Sequence, residues 1–195
     1  MTTTTGFVLS TGRSGTLWLA TALRVAAGLD ARHESLHRWD DTLPFGDVEV
    51  NGHFWADSLL IRERIPGARL VHLVRDGRDQ VRSAMSLIRP GRTFLKMCKL
   101  WALRNQHMRL MIGRHQCYRL EDLTSDYTYF AVLASYLGGQ PNRSAWNEIR
   151  GVRINATEGG YLWPPYELWT AADRRVFWEI CGPGMELFGY EGERK

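Results

Sequence analysis

Short apolar runs alternate with longer amphipathic segments along the whole chain. Runs rich in Val, Leu and Phe, bounded by turn residues, predict strands over 7–10, 29–33, 48–52, 69–74 and 116–120. Helical spacing of apolar residues predicts helices near 15–27, 56–64, 78–88, 93–112, 126–137 and 171–181, several of which end at Gly or Pro-Gly. Residues 139–165 are rich in Gly, Pro, Asn and Trp, and we expect them to form an irregular segment that wraps around a site.

This alternation predicts an α/β fold with three layers, in which a mostly parallel central sheet carries helices on both faces. Ligands of such sheets bind beyond the carboxyl ends of the strands. The 195 residues, of which 44% are hydrophobic, suffice for one sizeable core. Because the chain contains no internal repeat, low-complexity tract or linker, we expect residues 1–195 to form a single domain.

Composition argues against several classes of protein. No window contains about 18 consecutive apolar residues and the first residues lack the features of a signal peptide, so we expect a soluble cytoplasmic protein without a membrane span. Arg accounts for 22 of the 25 Lys and Arg residues, and its planar fork of donors suits a polyanionic ligand. These basic residues are spread along the chain instead of clustering with aromatic residues, so nucleic acid is not an expected partner.

Two segments have the pattern of anion-binding sites. The first, residues 7–23, reads FVLSTGRSGTLWLATAL: a buried strand, a small polar loop and a helix, whose backbone N–H groups and positive N-terminal end favour phosphate or sulfate. A nucleoside triphosphatase loop requires GxxxxGK before Ser or Thr, whereas here Arg13 precedes Ser14-Gly15-Thr16. The second segment, LVHLVRDGRDQVRS over 70–83, places Arg75 at a strand end and Ser83 on the next helix, where both can reach a second anion.

These two segments, about 60 residues apart, resemble the nucleotide-binding elements of the sulfotransferase family, which uses 3′-phosphoadenosine-5′-phosphosulfate (PAPS). CYRLEDL over 117–123 resembles the family's strand that ends in Glu-Asp-Leu, and ICGPGMELFGYE resembles its terminal helix and Gly-Tyr ending. The resemblance covers most of the chain. It implies a fold with a P-loop-like phosphosulfate-binding loop, PAPS as donor and 3′,5′-adenosine bisphosphate (PAP) as product, and no required metal.

The resemblance also implies roles for individual residues. The loop around Arg13 is expected to hold the 5′ phosphosulfate, and Arg75 with Ser83 is expected to hold the 3′ phosphate. Trp18 is expected near the adenine, and a late basic loop with Arg153 is expected to cover the 3′ phosphate. The donor-binding residues implied in this way are Arg13, Ser14, Gly15, Thr16, Trp18, Arg75, Ser83 and Arg153. Arg13 stands where many members have Lys, and Leu120 replaces a common Tyr. Asp76 and Asp79 are interpreted as caps of the helix that follows Arg75.

Catalysis is expected to rest on in-line positioning, on charge stabilisation by Arg13 and on a base that removes the acceptor's proton. Two bases stay open. His53 resembles the histidine base of cytosolic sulfotransferases, and Glu34 resembles the glutamate base of heparan-type and several bacterial members. His titrates near neutrality, which favours His53. The acceptor is expected to be a hydroxyl or amine of a small molecule or glycan, with these aromatic residues as candidates for its cleft: Phe54, Trp55, Tyr161, Trp163 and Tyr166.

Three alternative functions compete with this interpretation. HESLH over 33–37 matches HExxH, in which two His residues one helical turn apart bind zinc and the Glu activates water. A small-molecule kinase shares the strand, loop and helix of the first segment but requires a GK[S/T] sequence that this segment lacks. A non-catalytic protein that binds the donor nucleotide would keep the same binding elements.

Overall fold

The computed structural model describes residues 5–35, 46–87, 90–154 and 162–190. Within these residues five strands form one sheet: β1 (Gly6–Ser10), β2 (Ala31–His33), β3 (Val48–Asn51), β4 (Arg69–Val74) and β5 (Cys117–Arg119). Their order across the sheet is β2-β3-β1-β4-β5, and each of the four pairings is parallel. The predicted α/β class with a mostly parallel central sheet is confirmed.

Within the described residues, helices lie between β1 and β2, between β3 and β4, and between β4 and β5, as expected for parallel pairing. The α-helices of the described residues are α1 (Thr16–Ala27), α2 (Ser58–Arg64), α3 (Gly77–Met85), α4 (Phe94–Ile112), α5 (Leu120–Ser125), α6 (Tyr127–Tyr136), α7 (Arg143–Ile149) and α8 (Ala171–Leu187). Two single-turn 3₁₀ helices are Arg114–Gln116 and Tyr166–Leu168. Among the described residues, no helix combines the length and the apolar composition that a membrane crossing needs.

The sheet has helices on both faces because successive strand residues point in opposite directions. In β1, Val8 belongs to a buried cluster that contains residues of α1, α6 and α7, such as Leu23. Its neighbours Phe7 and Leu9 belong to another cluster, which includes Ile61 of α2 and residues of α4. A third buried cluster joins α4 with α8. The sheet is therefore the middle of three layers.

Two predicted boundaries were wrong. The strand expected over 116–120 ends at Arg119, because Leu120 begins α5. Within the segment expected to be irregular, α7 forms a helix of seven residues whose N-cap, Asn142, accepts a hydrogen bond from the Ala145 N–H. Trp146 is the buried residue of α7 and anchors it against the face of the sheet that α1 covers. Tertiary packing, more than local periodicity, makes this segment helical.

The carboxyl ends of four adjacent strands lead into the predicted site residues. The loop 11–15 follows β1, Glu34 follows β2, His53 lies two residues after β3, and Arg75 follows β4 directly. Because all strands are parallel, these segments emerge at one edge of the sheet.

Candidate functional site

The loop after β1 is held in place by hydrogen bonds at its base. The Ser14 hydroxyl donates to the Thr11 carbonyl at 2.5 Å. The Gln80 amide of α3 donates through Nε2 to the Gly12 carbonyl at 2.9 Å and also to Oγ1 of Thr11. Gln80 is only 4% exposed, so α3 supports the loop from below. Sequence analysis missed Gln80, although its place between Arg75 and Ser83 on the buried side of α3 was a usable signal.

Two residues of this loop, Arg13 and Gly15, have left-handed backbone conformations. Gly15, the N-cap of α1, has φ of 83°, and a Cβ atom there would lie 2.6 Å from Cδ2 of Leu120. Arg13 has φ of 74°, which costs a non-glycine residue roughly 1–2 kcal/mol. Such strain at an Arg concentrates at ligand-binding sites, where the surrounding structure enforces it.

The N-terminus of α1 is open to an anion. Its N-cap Gly15 supplies no side-chain hydrogen bond, and its first turn contains no acidic residue. In α3 and α4 the corresponding positions are filled by the side chains of Asp76 and Thr93, which accept from backbone N–H groups. The first N–H groups of a helix lack partners within the helix and attract negative charge. An anion held in the loop would therefore meet both the helix end and Arg13.

The two sequence segments meet beside this loop. Nε of Arg13 donates to Oγ of Ser83 at 2.9 Å, and Nη1 of Arg75 donates to the Arg13 carbonyl at 3.3 Å. The prediction that Asp76 caps α3 is confirmed, since it accepts from the Arg78 N–H at 2.8 Å. Asp79 lies in the first turn of α3 and forms an ion pair with Arg75 at 3.3 Å. Hydrogen bonds thus join Arg13 to both Arg75 and Ser83.

The two candidate bases are direct neighbours. Nε2 of His53 lies 3.5 Å from Oε2 of Glu34, whose other carboxylate oxygen is 3.7 Å from Nε2 of His33. That same nitrogen is 2.9 Å from Oγ1 of Thr16 at the start of α1. Burial lowers the pKa of His33, and the negative charge of Glu34 partly opposes this shift. A chain of polar groups therefore leads from Thr16, next to the loop 11–15, through His33 and Glu34 to His53.

Glu34 is fixed by its backbone as well as by its side chain. Its φ is 49°, so Glu34 and Arg13 are the two non-glycine residues with left-handed φ in the described part of the chain. Its N–H donates to the Val50 carbonyl at 3.1 Å. A Cβ atom at Gly52 would lie 3.0 Å from Oε1 of Glu34 and 3.2 Å from Cα of Gly12, so a larger residue there would have to displace Glu34 or the loop.

A cleft of about 940 Å³ joins these groups. The predicted site residues that line it are Arg13, Gly15, Thr16, Trp18, Glu34, His53, Arg75, Ser83 and Arg153. Ser14 is buried and holds the loop from beneath. Trp18 is 6% exposed and belongs to the core, and its Nε1 donates to the Ile149 carbonyl at 3.1 Å, so it is a core residue with one edge at the cleft. Arg153 lies in the segment that follows α7.

The aromatic residues expected in an acceptor cleft pack elsewhere. Phe54 is buried in the cluster beneath β1, while Trp163 and Tyr166 pack against the cluster around α8. Tyr161 lies outside the described residues. Apolar lining comes from α4, through Met97, Leu100 and Trp101, although Met97 and Trp101 also belong to the buried cluster that joins α4 with α8. A nineteen-residue helix can serve both purposes, since its side chains point in all directions around its axis.

The charge of the cleft is strongly uneven. Its basic lining residues are Arg13, Arg75, Arg92, Lys96, Arg104, Arg150 and Arg153. Among the described lining residues, Glu34 is the single carboxylate. Sequence analysis did not identify Arg92, Lys96, Arg104 or Arg150 as site residues, because nothing in their local sequence distinguishes them from surface Arg and Lys.

Residues of CYRLEDL and the pair Gly189-Tyr190 lie beside the turn that carries Arg75, on the side of β5. Oε1 of Glu121 accepts from the Asp76 N–H at 3.0 Å, and Oε2 accepts from the Tyr190 hydroxyl at 2.8 Å. Burial and the adjacent Glu121 carboxylate raise the pKa of Tyr190. Through these two hydrogen bonds, Glu121 links Tyr190, which follows α8, to the turn that carries Arg75.

The zinc-binding interpretation of HESLH requires a helix. His33 instead ends strand β2, and Glu34 follows with left-handed φ. Leu36 and His37 lie outside the described residues. Over the ranges that the structure describes, no three His, Cys, Asp or Glu side chains are grouped as metal ligands.

Two solved structures are similar to this chain. Mouse sulfotransferase SULT7A1, complexed with PAP, matches over 93% of this chain and 84% of its own, with a TM-score of 0.63 and 15% identity. A sulfotransferase from Alicyclobacillus acidocaldarius matches over 98% of both chains, with a TM-score of 0.56 and 11% identity. No protein-family model and no curated protein sequence matches the chain. A five-stranded parallel sheet with helices on both faces, similar over nearly the whole chain to two sulfotransferases, identifies this protein as one with the sulfotransferase fold.

Proposed function

We propose that this protein is a sulfotransferase that moves the sulfuryl group of PAPS to a hydroxyl or amine of an acceptor. The observation that carries the proposal is the hydrogen bond between Arg13 and Ser83, which joins the two anion-binding segments at one cleft. A PAPS molecule has phosphates at both its 5′ and 3′ positions, so its two ends match the two segments. The similar mouse structure, a sulfotransferase complexed with PAP, supports the same assignment.

The residues present suit the charge of such a donor. The uncapped N-terminus of α1 and Arg13 would hold the 5′ phosphosulfate, and Arg75 with Ser83 would hold the 3′ phosphate. Arg153 lines the same cleft from the segment after α7 and would add positive charge on the side of Trp18. The hydrogen bond to Ser83 holds the Arg13 side chain beside the loop, which is preorganisation for a charged ligand.

The reaction needs positioning and charge stabilisation. An acceptor oxygen or nitrogen forms a bond to sulfur while the bond from sulfur to the 5′-phosphate oxygen breaks, and PAP leaves with that electron pair. Arg13 and the N–H groups at the start of α1 would stabilise the charge that develops on the leaving oxygen. The acceptor proton passes to a base on the protein.

His53 is the base in this proposal, and Glu34 orients it. The His53 side chain is 63% exposed, whereas that of Glu34 is 26% exposed and lies between two His residues. An exposed imidazole can reach an incoming acceptor, and a carboxylate 3.5 Å away stabilises the imidazolium that forms after proton transfer. His33 and Thr16 connect this pair to the loop that would hold the sulfuryl group.

The proposal is tested by binding and by transfer. Calorimetric titration with PAP is expected to give saturable binding that Arg13→Ala weakens and that Arg24→Ala, an exposed change on the last turn of α1, leaves intact. Sulfuryl transfer is then measured with ³⁵S-labelled PAPS and a panel of phenols, alcohols, amines and glycans. Absence of PAP binding would overturn the proposal. Binding of PAP without hydrolysis or transfer of the labelled group would favour the non-catalytic alternative, and binding of Mg-ATP in its place would favour a kinase.

A further inference from the structure

The basic residues of the cleft fall into two groups. Arg150 and Arg153 follow α7, which packs on α1, so they lie on the side of Trp18. Arg104 and Lys96 belong to α4, which packs on the opposite face of the sheet against α2, α3 and α8. The donor interpretation employs Arg13, Arg75 and the group after α7. It leaves the cations of α4 without a role.

Arg104 is the most informative of these cations. Its Cζ atom lies 5.2 Å from the ring centre of Trp55, which follows His53 by two residues. This contact places Arg104 on the side of the cleft where the proposed base approaches an acceptor. The Nε atom of Arg104 is buried and has no hydrogen-bond partner within the described part of the chain. Burial also lowers the pKa of Arg104.

An incompletely paired guanidinium is costly to bury. A cation–π contact with Trp55 offsets part of the desolvation cost but satisfies no N–H group. Among the described residues, no carboxylate forms an ion pair with Arg104. A bound anion would supply both the charge and the acceptor atoms that the protein leaves out.

The residues around Arg104 indicate the chemistry of the rest of such a ligand. One and two turns earlier on α4, Leu100 and Met97 line the same cleft and are apolar. Lys96 is exposed and lines the cleft beside Gly91, to whose carbonyl its Nζ donates at 3.2 Å. The wall that α4 contributes is therefore apolar in its middle and cationic at both ends.

Resting on the proposed sulfotransferase function, we infer that the acceptor is a small molecule with an apolar body and an anionic group, which Arg104 binds with help from Lys96. The hydroxyl or amine to be sulfated would then face His53, while the anionic group lies along α4. A neutral acceptor of the same shape would displace water from the cleft and leave Arg104 without an anionic partner. The cleft therefore discriminates against such an acceptor.

The test uses two fluorescent probes that differ by one charged group. Both 8-anilino-1-naphthalenesulfonate and the neutral N-phenyl-1-naphthylamine have the same aromatic body, and only the first has a sulfonate. Each is titrated into the protein saturated with PAP, so that the donor-side cations are already occupied. The sulfonate probe is expected to bind about tenfold more tightly, the effect of one charge-assisted hydrogen bond.

Substitutions on α4 test which residue causes the preference for the sulfonate probe. Arg104→Gln is expected to remove the tenfold preference for the sulfonate probe. Arg104→Lys is expected to retain part of it, and Lys96→Gln to reduce it by a smaller factor. Lys99→Gln is the matched control, since Lys99 is exposed on α4 and does not line the cleft. Candidate acceptors are then ranked by displacement of the sulfonate probe, and the anionic member of each matched pair is expected to displace it better.

Two outcomes would overturn this inference. One is equal affinity for both probes, or no binding of the sulfonate probe, in wild-type protein. The other is a preference that survives Arg104→Gln unchanged. If PAP binds but the preference is missing, the proposed function stands and the acceptor class is wrong. If PAP fails to bind, the proposed function fails, and the same titrations without PAP still measure whether Arg104 and Lys96 form an anion site.

Discussion

Nε of Arg13 donates a 2.9 Å hydrogen bond to Oγ of Ser83, although 70 residues separate them along the chain. Arg13 lies in the loop after β1, and Ser83 lies on α3 after β4, the strand next to β1 in the sheet. The Arg75 guanidinium also reaches this loop, through the Arg13 carbonyl. The two segments predicted to bind anions are thus in direct contact, and a change in one should affect the other.

Ser83→Ala is the mildest change that uncouples them. It removes the acceptor of the Arg13 hydrogen bond and, in the proposed function, a donor to the 3′ phosphate. Hydrogen bonds to charged groups contribute about 1.5–3 kcal/mol, so we expect the Kd for PAP to rise at least tenfold. Calorimetry measures this directly. Ser135→Ala, on an exposed position of α6, should leave the Kd unchanged, and equal values for Ser83→Ala and wild type would remove Ser83 from the site.

The assignment of the base is decided by separate changes at the two neighbouring residues. His53→Ala is expected to lower kcat by roughly 10²–10⁴-fold while PAP still binds, because a general base contributes on that scale. Glu34→Gln removes the carboxylate charge 3.5 Å from the imidazole and should lower kcat less, with a shifted pH profile. Full activity of His53→Ala together with inactive Glu34→Gln would reverse the two roles.

The left-handed N-cap of α1 makes a prediction about stability. Gly15→Ala places a methyl group 2.6 Å from Cδ2 of Leu120 in a backbone conformation that costs roughly 1–2 kcal/mol for a non-glycine residue. We expect a lower Tm and weaker PAP binding. Gly15→Ala combined with Leu120→Ala relieves the contact but keeps the backbone strain, so it should recover binding only in part.

Gly151→Ala is the control for this change, since no atom lies within 4 Å of a Cβ atom built there. A Tm for Gly15→Ala as high as that of Gly151→Ala would show that the loop adapts without strain.

Stability should depend on pH through His72, a fully buried residue of β4. Burial lowers its pKa from 6.5 to about 4, and the charge of Arg109 on α4 acts in the same direction. Its ring nitrogens face Oδ1 of Asn105 at 3.0 Å and Sγ of Cys117 at 3.5 Å. The unfolded chain therefore binds a proton between pH 6.5 and 4 that the folded chain does not. The contribution of His72 to the free energy of unfolding is complete above pH 6.5 and declines by about 3 kcal/mol as the pH falls toward 4.

Urea unfolding at pH 7, 6, 5 and 4.5 measures that decline. His72→Gln should flatten the dependence relative to wild type, whatever its effect on stability at pH 7. His115→Gln, at an exposed position, should leave the dependence as it is. A wild-type slope retained in His72→Gln would mean that other groups cause the loss of stability in acid.

The sequence predicts the relation between residues that are close along the chain better than contacts between residues on different strands. Arg75 and Ser83 were predicted to share a site from their spacing alone, because a strand end and the following helix have little freedom between them. His53 and Glu34 were treated as competing bases, yet they are neighbours, because β2 and β3 pair side by side. The helix α7 was missed because its seven residues bury little besides Trp146, and its packing on α1 stabilises it.

Gln80 and Arg104 show in another way what the sequence alone could not predict. Each is one polar residue on an amphipathic helix, and its role depends on what lies opposite: the loop after β1 for Gln80, and Trp55 with the cleft for Arg104. Helical periodicity identifies the face of a helix on which such a residue lies. It does not identify the element that packs against that face.

The sequence by itself determined most of the succession of strands and helices, and it predicted the loop 11–15 and the pair Arg75 and Ser83 as anion-binding residues. These features depend on interactions over a few residues: hydrophobic periodicity, glycine at a left-handed N-cap, and the short path from a strand into its helix. The tertiary structure alone decided that Arg13 meets Ser83, that Glu34 meets His53, and that α4 presents Arg104 to the cleft. Those contacts depend on strand order and helix packing, which arise from burial of apolar surface contributed by the whole chain.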